Sequence, residues 1–317
     1  MQTPSSSAPS LSGSTGSPTR GTMTFTSVLL STVPCLVFLV IYGSNDHLRI
    51  LPRASDIHCV TLYNVSALEV QLFSIAPHRF IASVHQSRVL DLLAALPYML
   101  HYLIPFTFPI YLCVARHSDH VPCFFRLLGC SLWAHYAIWY MLPTAPPWVY
   151  DSLRATQAPA SVDPQRSKPD LVPLVGSLEH REGCAFARLD AWTGISLFYT
   201  IFNGNPVPFA SFPSGHVAWP MCVLMSLPAG TGRRRRSAVV MYIAWVSWAT
   251  MHSCHHYLLD IVSAIGVTLL CQRLMMALSR WTNNSFSIIR LRRPARQPEQ
   301  RHLTRCCCPP TVVVVVH

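Results

Sequence analysis

Residues Ser237 to Leu259 read SAVVMYIAWVSWATMHSCHHYLL, and Asp260 follows at once. With His counted as neutral this stretch carries no charge, and it is long enough to cross a bilayer, which takes roughly 20 apolar residues. Four further charge-free stretches run from Thr24 to Gly43, Leu92 to Ala115, Leu127 to Tyr150 and Ala191 to Gly232. A sixth, from Tyr257 to Met276, carries only Asp260 near its start and Arg273 near its end. The stretch from Ala191 is too long for one helix. Asn203, Asn205, Pro206 and Pro208 break it and leave Ser214 to Ala229 as its spanning part. The pattern predicts an all-α polytopic membrane protein, a bundle of six transmembrane helices with a long non-cytoplasmic loop before the fourth.

Composition agrees. Of 317 residues, 51% are hydrophobic and only 12% charged, and the mean hydropathy is +0.33, which excludes a soluble two-domain enzyme. Met1 to Thr22 is rich in Ser, Thr, Pro and Gly without an apolar run, so it reads as a disordered cytoplasmic tail and not as a signal peptide. Residues 23–280 form the predicted membrane domain and 281–317 a basic cytoplasmic tail.

Orientation follows from the cations, which stay on the cytoplasmic side. With both termini cytoplasmic, that side receives Arg20, Arg116, Arg126, Arg233 to Arg236, Arg280 and the arginines of the C-terminal tail, opposed only by Asp119 and Glu299. The segments from Asp46 to Asp91 and from Asp151 to Asp190 are nearly balanced in charge and fall on the other side. The net charge of +11 is thus a topology signal, with no basic soluble domain to hold nucleic acid.

The cysteines do not outline a disulfide scaffold. Cys35, Cys113, Cys130, Cys222 and Cys271 fall inside predicted helices as core residues. Cys59 and Cys184 fall on the non-cytoplasmic side, where an oxidising compartment would let them pair. Cys306 to Cys308 sit among basic residues in the tail, as reactive thiols or as palmitoylation sites. The sequon at Asn64 lies on the side where glycosylation occurs, and the one at Asn283 does not.

Chemistry concentrates at two places. Phe212-Pro213-Ser214-Gly215-His216 opens the fourth spanning helix. A helix N-terminus presents backbone N–H groups to an anion, and His216 projects from its first turn. The competing reading is a Ser N-cap beside an interfacial His. The second place is His255-His256-Tyr257-Leu258-Leu259-Asp260, between the fifth and sixth spanning helices. His256 and Asp260 are four apart, so a helix starting there puts them on one face. The carboxylate then accepts the imidazole Nδ1–H and leaves Nε2 as a nucleophile. The competing reading is a solvated His-rich turn with Asp260 favouring the helix dipole. The topology brings His216, His256 and Asp260 to one membrane face from separate helices, which two unrelated accidents would not do. His252, one turn before His256, is read as part of a hydrogen-bonded relay in preference to a metal cluster. His101 and His135 lie mid-helix, where His marks an internal hydrogen bond, and Glu69 and Asp91 lie near helix ends.

The pattern FPSGH, then a helix, then HHYLLD resembles the second and third signature blocks of the type 2 phosphatidic acid phosphatase superfamily, whose fold is a six-helix membrane bundle. Within it, Pro143-Thr144-Ala145-Pro146-Pro147-Trp148, the segment Ala187-Arg188-Leu189-Asp190 and the HHY spelling resemble the inositol phosphorylceramide synthases. The resemblance extends from about Asp91 to Leu270. It implies a phosphotransferase that moves phosphoinositol from phosphatidylinositol to ceramide through a phosphohistidine, in the Golgi membrane with a lumenal active site. His256 would be the nucleophile, Asp260 its orienting carboxylate and His216 the acid and base. Ser214 and Gly215 would bind the phosphoryl oxygens, and Arg188 and Asp190 would contact inositol. Neither metal nor cofactor enters this scheme. The phosphatase branch carries an Arg six residues before the nucleophilic His, where this chain has Thr250, and its Lys-to-Arg-Pro first block has no match here. The loss of two phosphate-binding cations argues against the alternative, a hydrolase acting on lipid phosphate monoesters.

Overall fold

The computed structural model describes residues 24–52, 63–84, 87–148 and 185–291. Cys59, Cys184, the 1–22 segment and Cys306 to Cys308 lie outside the described residues. Thr24 caps α1 (Phe25–Gly43), its hydroxyl accepting the Ser27 N–H at 3.2 Å. The helix then runs through the first charge-free stretch with Pro34 inside it. It packs along α7 (Val121–Met141), and Gly129 of α7 permits the approach: a Cβ there would fall 2.9 Å from the Pro34 Cβ. Trp133 donates its indole N–H to the Pro34 carbonyl at 3.0 Å beside that contact.

Three short helices, α2 (Asn45–Leu48), α3 (Val65–Phe73) and α4 (Pro77–Val84), follow α1. Asn64, the sequon asparagine, caps α3 by accepting the Ala67 N–H at 2.9 Å, and Ser66 of that sequon is buried. The second charge-free stretch is not one continuous α-helix. It folds as α5 (Arg88–Leu100), a 3-10 turn (His101–Leu103) and α6 (Ile104–Val114). Two prolines account for this. Pro97 has no N–H for the Leu93 carbonyl, and Trp245 fills that place with its indole N–H at 3.1 Å. Pro105 has none for the His101 carbonyl, which takes the Ile104 N–H in 3-10 fashion.

After the gap come α8 (Ala185–Thr193) and α9 (Leu197–Asn203). The Asp190 carboxylate joins them by accepting the N–H groups of Phe198 at 3.1 Å and Tyr199 at 2.7 Å. The expected break from Asn203 to Pro208 is present. Asn205 accepts the Tyr42 hydroxyl at 2.8 Å, and Asn45 donates to the Pro206 carbonyl at 2.8 Å, so the end of α1 holds this connection. The chain then enters α10 (Gly215–Ser226), α11 (Arg233–His252) and α12 (Leu258–Leu291). Aliphatic and aromatic side chains fill two clusters, one around Tyr98, Phe186, Phe198 and Ala249 and one around Val217, Met221, Val246 and Ile261.

The described residues are helical without a β-strand, apart from one isolated bridge between Thr144 and Ala210. Four helical segments are long and apolar enough to cross a membrane: Phe25–Gly43, Arg88–Val114, Ser118–Met141 and Leu258–Arg280. Apolar side chains such as Leu30, Phe106 and Leu270 point outward from them, the surface of a multi-pass membrane protein. The other two expected spans do not reach that standard. With 12 residues, α10 ends at Ser226 because Leu227 is extended before Pro228, and four of the first residues of α11 are arginine. The chain divides into two units, Met1–Leu274 and Met275–His317, and every site residue below belongs to the first.

The packing of α1 on α7 is directly testable. Gly129→Ala should destabilise the purified protein in detergent by about 1–3 kcal/mol through overpacking against Pro34. Gly266→Ala on α12, where a Cβ meets nothing within 4 Å, should leave the thermal midpoint unchanged or raise it.

Candidate active site

Local rules first place the two His-bearing segments. At the end of α11, Ser253 is the cap and Cys254 turns left-handed with φ 57°. The His255 N–H returns to the Thr250 carbonyl at 2.8 Å and the Cys254 N–H to the Met251 carbonyl at 3.0 Å. This is a Schellman closure with cysteine where glycine is usual. It reverses the chain within three residues, so His256 stands between two helices. At the start of α12, Tyr257 is the residue before the first turn, and Asp260 reaches back to accept its N–H at 2.9 Å, half of a capping box.

The same Asp260 oxygen, Oδ2, accepts the His256 Nδ1–H at 3.0 Å and the Ser211 hydroxyl at 2.6 Å. A carboxylate only accepts, so Nδ1 of His256 carries the proton and Nε2 keeps its lone pair. Asp260 is fully buried and His256 nearly so, which keeps water from competing for these bonds. The Asp260 main chain adds a further tie, its carbonyl accepting the Ser214 N–H at 3.0 Å. The FPSGH segment is thereby fastened directly to the HHYLLD segment.

A strap formed by the APPW stretch holds both from the side. Thr144 pairs with the approach to FPSGH through Thr144 N–H to Phe209 carbonyl at 2.8 Å and Ser211 N–H to Thr144 carbonyl at 3.1 Å. Further on, the Trp148 N–H reaches the Cys254 carbonyl at 3.0 Å. Trp139 of α7 donates to the Pro213 carbonyl at 3.2 Å, and the Phe212–Pro213 peptide is cis. His216 therefore arrives with its ring centroid 5.3 Å from that of His256. Its Nδ1 bonds His101 Nε2 at 2.8 Å.

Ser214, read from the sequence as a possible N-cap, makes no side-chain capping bond; its buried hydroxyl has no partner among the described residues. A Cβ on Gly215 would meet only the Trp139 ring, at 3.9 Å, which is ordinary contact. The fold thus has room for a side chain at Gly215. The first-turn amides of α10 lack intrahelical partners, and the Ser214 amide is already engaged by Asp260.

The other sequence candidates lie elsewhere. Arg188 forms a two-pronged pair with Asp91, Nε to Oδ2 at 2.9 Å and Nη2 to Oδ1 at 2.6 Å, and His252 Nε2 meets the same Oδ1 at 2.9 Å. Arg188 and Asp190, the sequence candidates for inositol contacts, thus hold α8 against α5 and α9. His252 turns to Asp91 and away from the His256–Asp260 pair, and no cluster of three metal-ligating side chains forms among the described residues. His135 bonds the Ser131 carbonyl of its own helix at 2.7 Å. Glu69 and His78 form a fully buried pair at 3.2 Å, with Glu69 accepting the Leu259 N–H at 2.9 Å. One contributor, Ser211, is not singled out in the sequence, and two more, Asp91 and Glu69, stand out there only by position. Ser211 lies just ahead of the FPSGH block, where a lone serine carries no spacing signal. Asp91 and Glu69 were noted only as residues near helix ends, since partners far away in sequence decide what they do.

These segments match known proteins. The PAP2 superfamily model matches residues 64–274. The inositol phosphorylceramide synthase catalytic subunit of Schizosaccharomyces pombe is 29% identical over 184 residues, 58% of this chain and 39% of that protein. The phosphoinositol dihydroceramide synthase of Bacteroides thetaiotaomicron is 27% identical over 253 residues, 75% of this chain and 74% of that protein. The inositol phosphorylceramide synthase of Candida albicans is 26% identical over 220 residues, 66% of this chain and 41% of that protein. The chain therefore spans 39% and 41% of the lengths of these two fungal relatives. No solved structure matches it. The family match takes in both His segments, the strap between them and the helices that carry them, and the chain belongs to the PAP2 superfamily.

Proposed function

We propose that the protein transfers phosphoinositol from phosphatidylinositol to the hydroxyl of ceramide, by two displacements at phosphorus. The observation that carries this reading is the junction of the two signature segments at Asp260, which sets His216 beside His256 with complementary nitrogens. The names of the fungal and bacterial relatives speak of an inositol phosphorylceramide or phosphoinositol dihydroceramide product, which supports a ceramide-type acceptor. Phosphatidylinositol as donor rests on the resemblance read in the sequence. In the first displacement His256 Nε2 attacks phosphorus, and the bond to the diacylglycerol oxygen breaks as His216 Nε2–H protonates that oxygen. In the second the ceramide hydroxyl attacks, His216 Nε2 takes its proton, and the bond from phosphorus to His256 breaks. An imidazole with a reference pKa near 6.5 serves both directions close to neutral pH. Asp260 orients His256 and balances the positive charge of the phosphoryl adduct. The Ser214 hydroxyl and the first-turn amides of α10 bind the phosphoryl oxygens.

Thr250 stands where the phosphatase branch has arginine; it is fully buried, and its carbonyl is engaged in the α11 closure. No cation replaces that arginine at its position, which favours a diester donor over a phosphate monoester. In the membrane the reading keeps six spans, with α10 and α11 as the fourth and fifth. Residues 23–280 form the phosphotransferase domain between two cytoplasmic tails, and the site faces the lumen, with the Golgi as its compartment.

Membranes containing the protein, given fluorescent ceramide and phosphatidylinositol, should form an acidic ceramide product that His256→Ala abolishes. Release of inorganic phosphate from phosphatidate, with no ceramide product, would establish a hydrolase and overturn the transferase. Gly215→Ala separates phosphate binding from folding. It should keep the wild-type thermal midpoint while losing about 100-fold in transfer rate, the scale of a phosphoryl group displaced by about 1 Å.

A further inference from the structure

The mechanism above gives His256 a carboxylate to orient it and leaves open what orients His216. We propose that His101 is the positioning residue of His216, fixing its tautomer and its direction toward the reacting oxygen; this rests on the acid and base role read for His216. The chain of bonds is explicit. His101 Nδ1 bonds the Tyr98 carbonyl, one turn back on its own segment. A carbonyl only accepts, so that nitrogen carries the proton, and a neutral His101 presents a lone pair at Nε2. His216 Nδ1 lies 2.8 Å from it and must donate. Protonation of His216 is thereby confined to Nε2, the nitrogen left for substrate.

The backbone puts His101 there for a reason written in the chain. The 3-10 turn that Pro105 imposes at His101–Leu103 interrupts the α5–α6 segment at this point, opposite the first turn of α10. His101 is buried, and its ring is enclosed by Tyr102, with centroids 3.9 Å apart, and Trp219, at 5.4 Å. Tyr98 packs against both imidazoles, at 5.6 Å from His101 and 4.4 Å from His216. This enclosure holds the ring and excludes competing water. The two catalytic imidazoles thus have partners of different charge. An anion suits His256, which becomes a cationic phosphoryl adduct, and a neutral acceptor suits His216, which must both give and take a proton.

The test is a double-mutant cycle on ceramide transfer in mixed micelles, with folding followed by thermal midpoint. His216→Ala should lower kcat by about 100-fold or more, the usual contribution of a general acid. His101→Phe, which fills the space without an acceptor, should lower kcat at least tenfold with KM for both lipids little changed. His101→Gln, whose amide oxygen can still accept, should recover most of that loss. In the His216→Ala background His101→Phe should cost nothing further, because its effect runs through His216. Additive losses in the double variant, a His101→Phe kcat within twofold of wild type, or a Gln variant as impaired as Phe would each overturn the proposal. If His101→Phe does not fold, His101→Gln decides: a kcat above a tenth of wild type supports the assignment, and one as low as His216→Ala refutes it. A His216→Ala enzyme with wild-type kcat would instead refute the acid and base role itself.

Discussion

The buried carboxylate of Asp260 is the interaction on which the site depends. One of its oxygens collects three donors, from Ser211, His256 and the Tyr257 amide, and its main-chain carbonyl holds the Ser214 amide. A carboxylate away from water requires hydrogen bonds; Oδ2 makes all three, and the buried Oδ1 has no partner among the described residues. That requirement couples four pieces of chain: the approach to α10, the turn after α11, the first turn of α12 and the helix N-terminus beside His216. The strap from Thr144 to Trp148 and the indole of Trp139 secure the same junction from outside. Loss of the carboxylate would free Ser211, His256 and the Tyr257 amide together, while the main-chain bond to Ser214 and the strap would remain.

What was legible in the sequence was what local spacing encodes. His256 and Asp260 lie four apart and do bond, although α12 begins only at Leu258, so a capping turn and not a shared helical face brings them together. The charge-free stretches located four of the six expected spans among the described residues, and Asn203 to Pro208 marked a real break. Other features escaped because distant partners decide them. Ser211 meets Asp260 across 49 residues and His216 meets His101 across 115, separations that leave no local pattern. Arg188 and Asp190 read as candidates for inositol contacts, and nothing in the sequence signalled the bonds they make to Asp91 and to the amides of α9. The turn after α11 was hidden because a cysteine, and not a glycine, takes the left-handed position. The break at His101 was visible in principle: Pro97 and Pro105 bracket it, and each removes a donor the helix needs.

A double displacement asks different things of two otherwise similar imidazoles. In the proposed route His256 would hold a phosphoryl group, and the buried Asp260 carboxylate would support the charge that results. In that route His216 would release and recover a proton, and the hydrogen-bond chain through His101 ends on a neutral carbonyl. The aromatic rings of Tyr98, Phe186 and Trp148 crowd the neighbouring His255.

The most direct test of the double displacement is a trapping experiment. Purified protein is incubated with phosphatidylinositol carrying radioactive phosphorus, without ceramide, and quenched in base. The two-step route predicts a label on the protein that is stable to base, labile to acid, absent in His256→Ala, and moved to lipid when ceramide is added before the quench. Normal ceramide product from a protein that never carries label would contradict it and establish direct attack by ceramide on the donor.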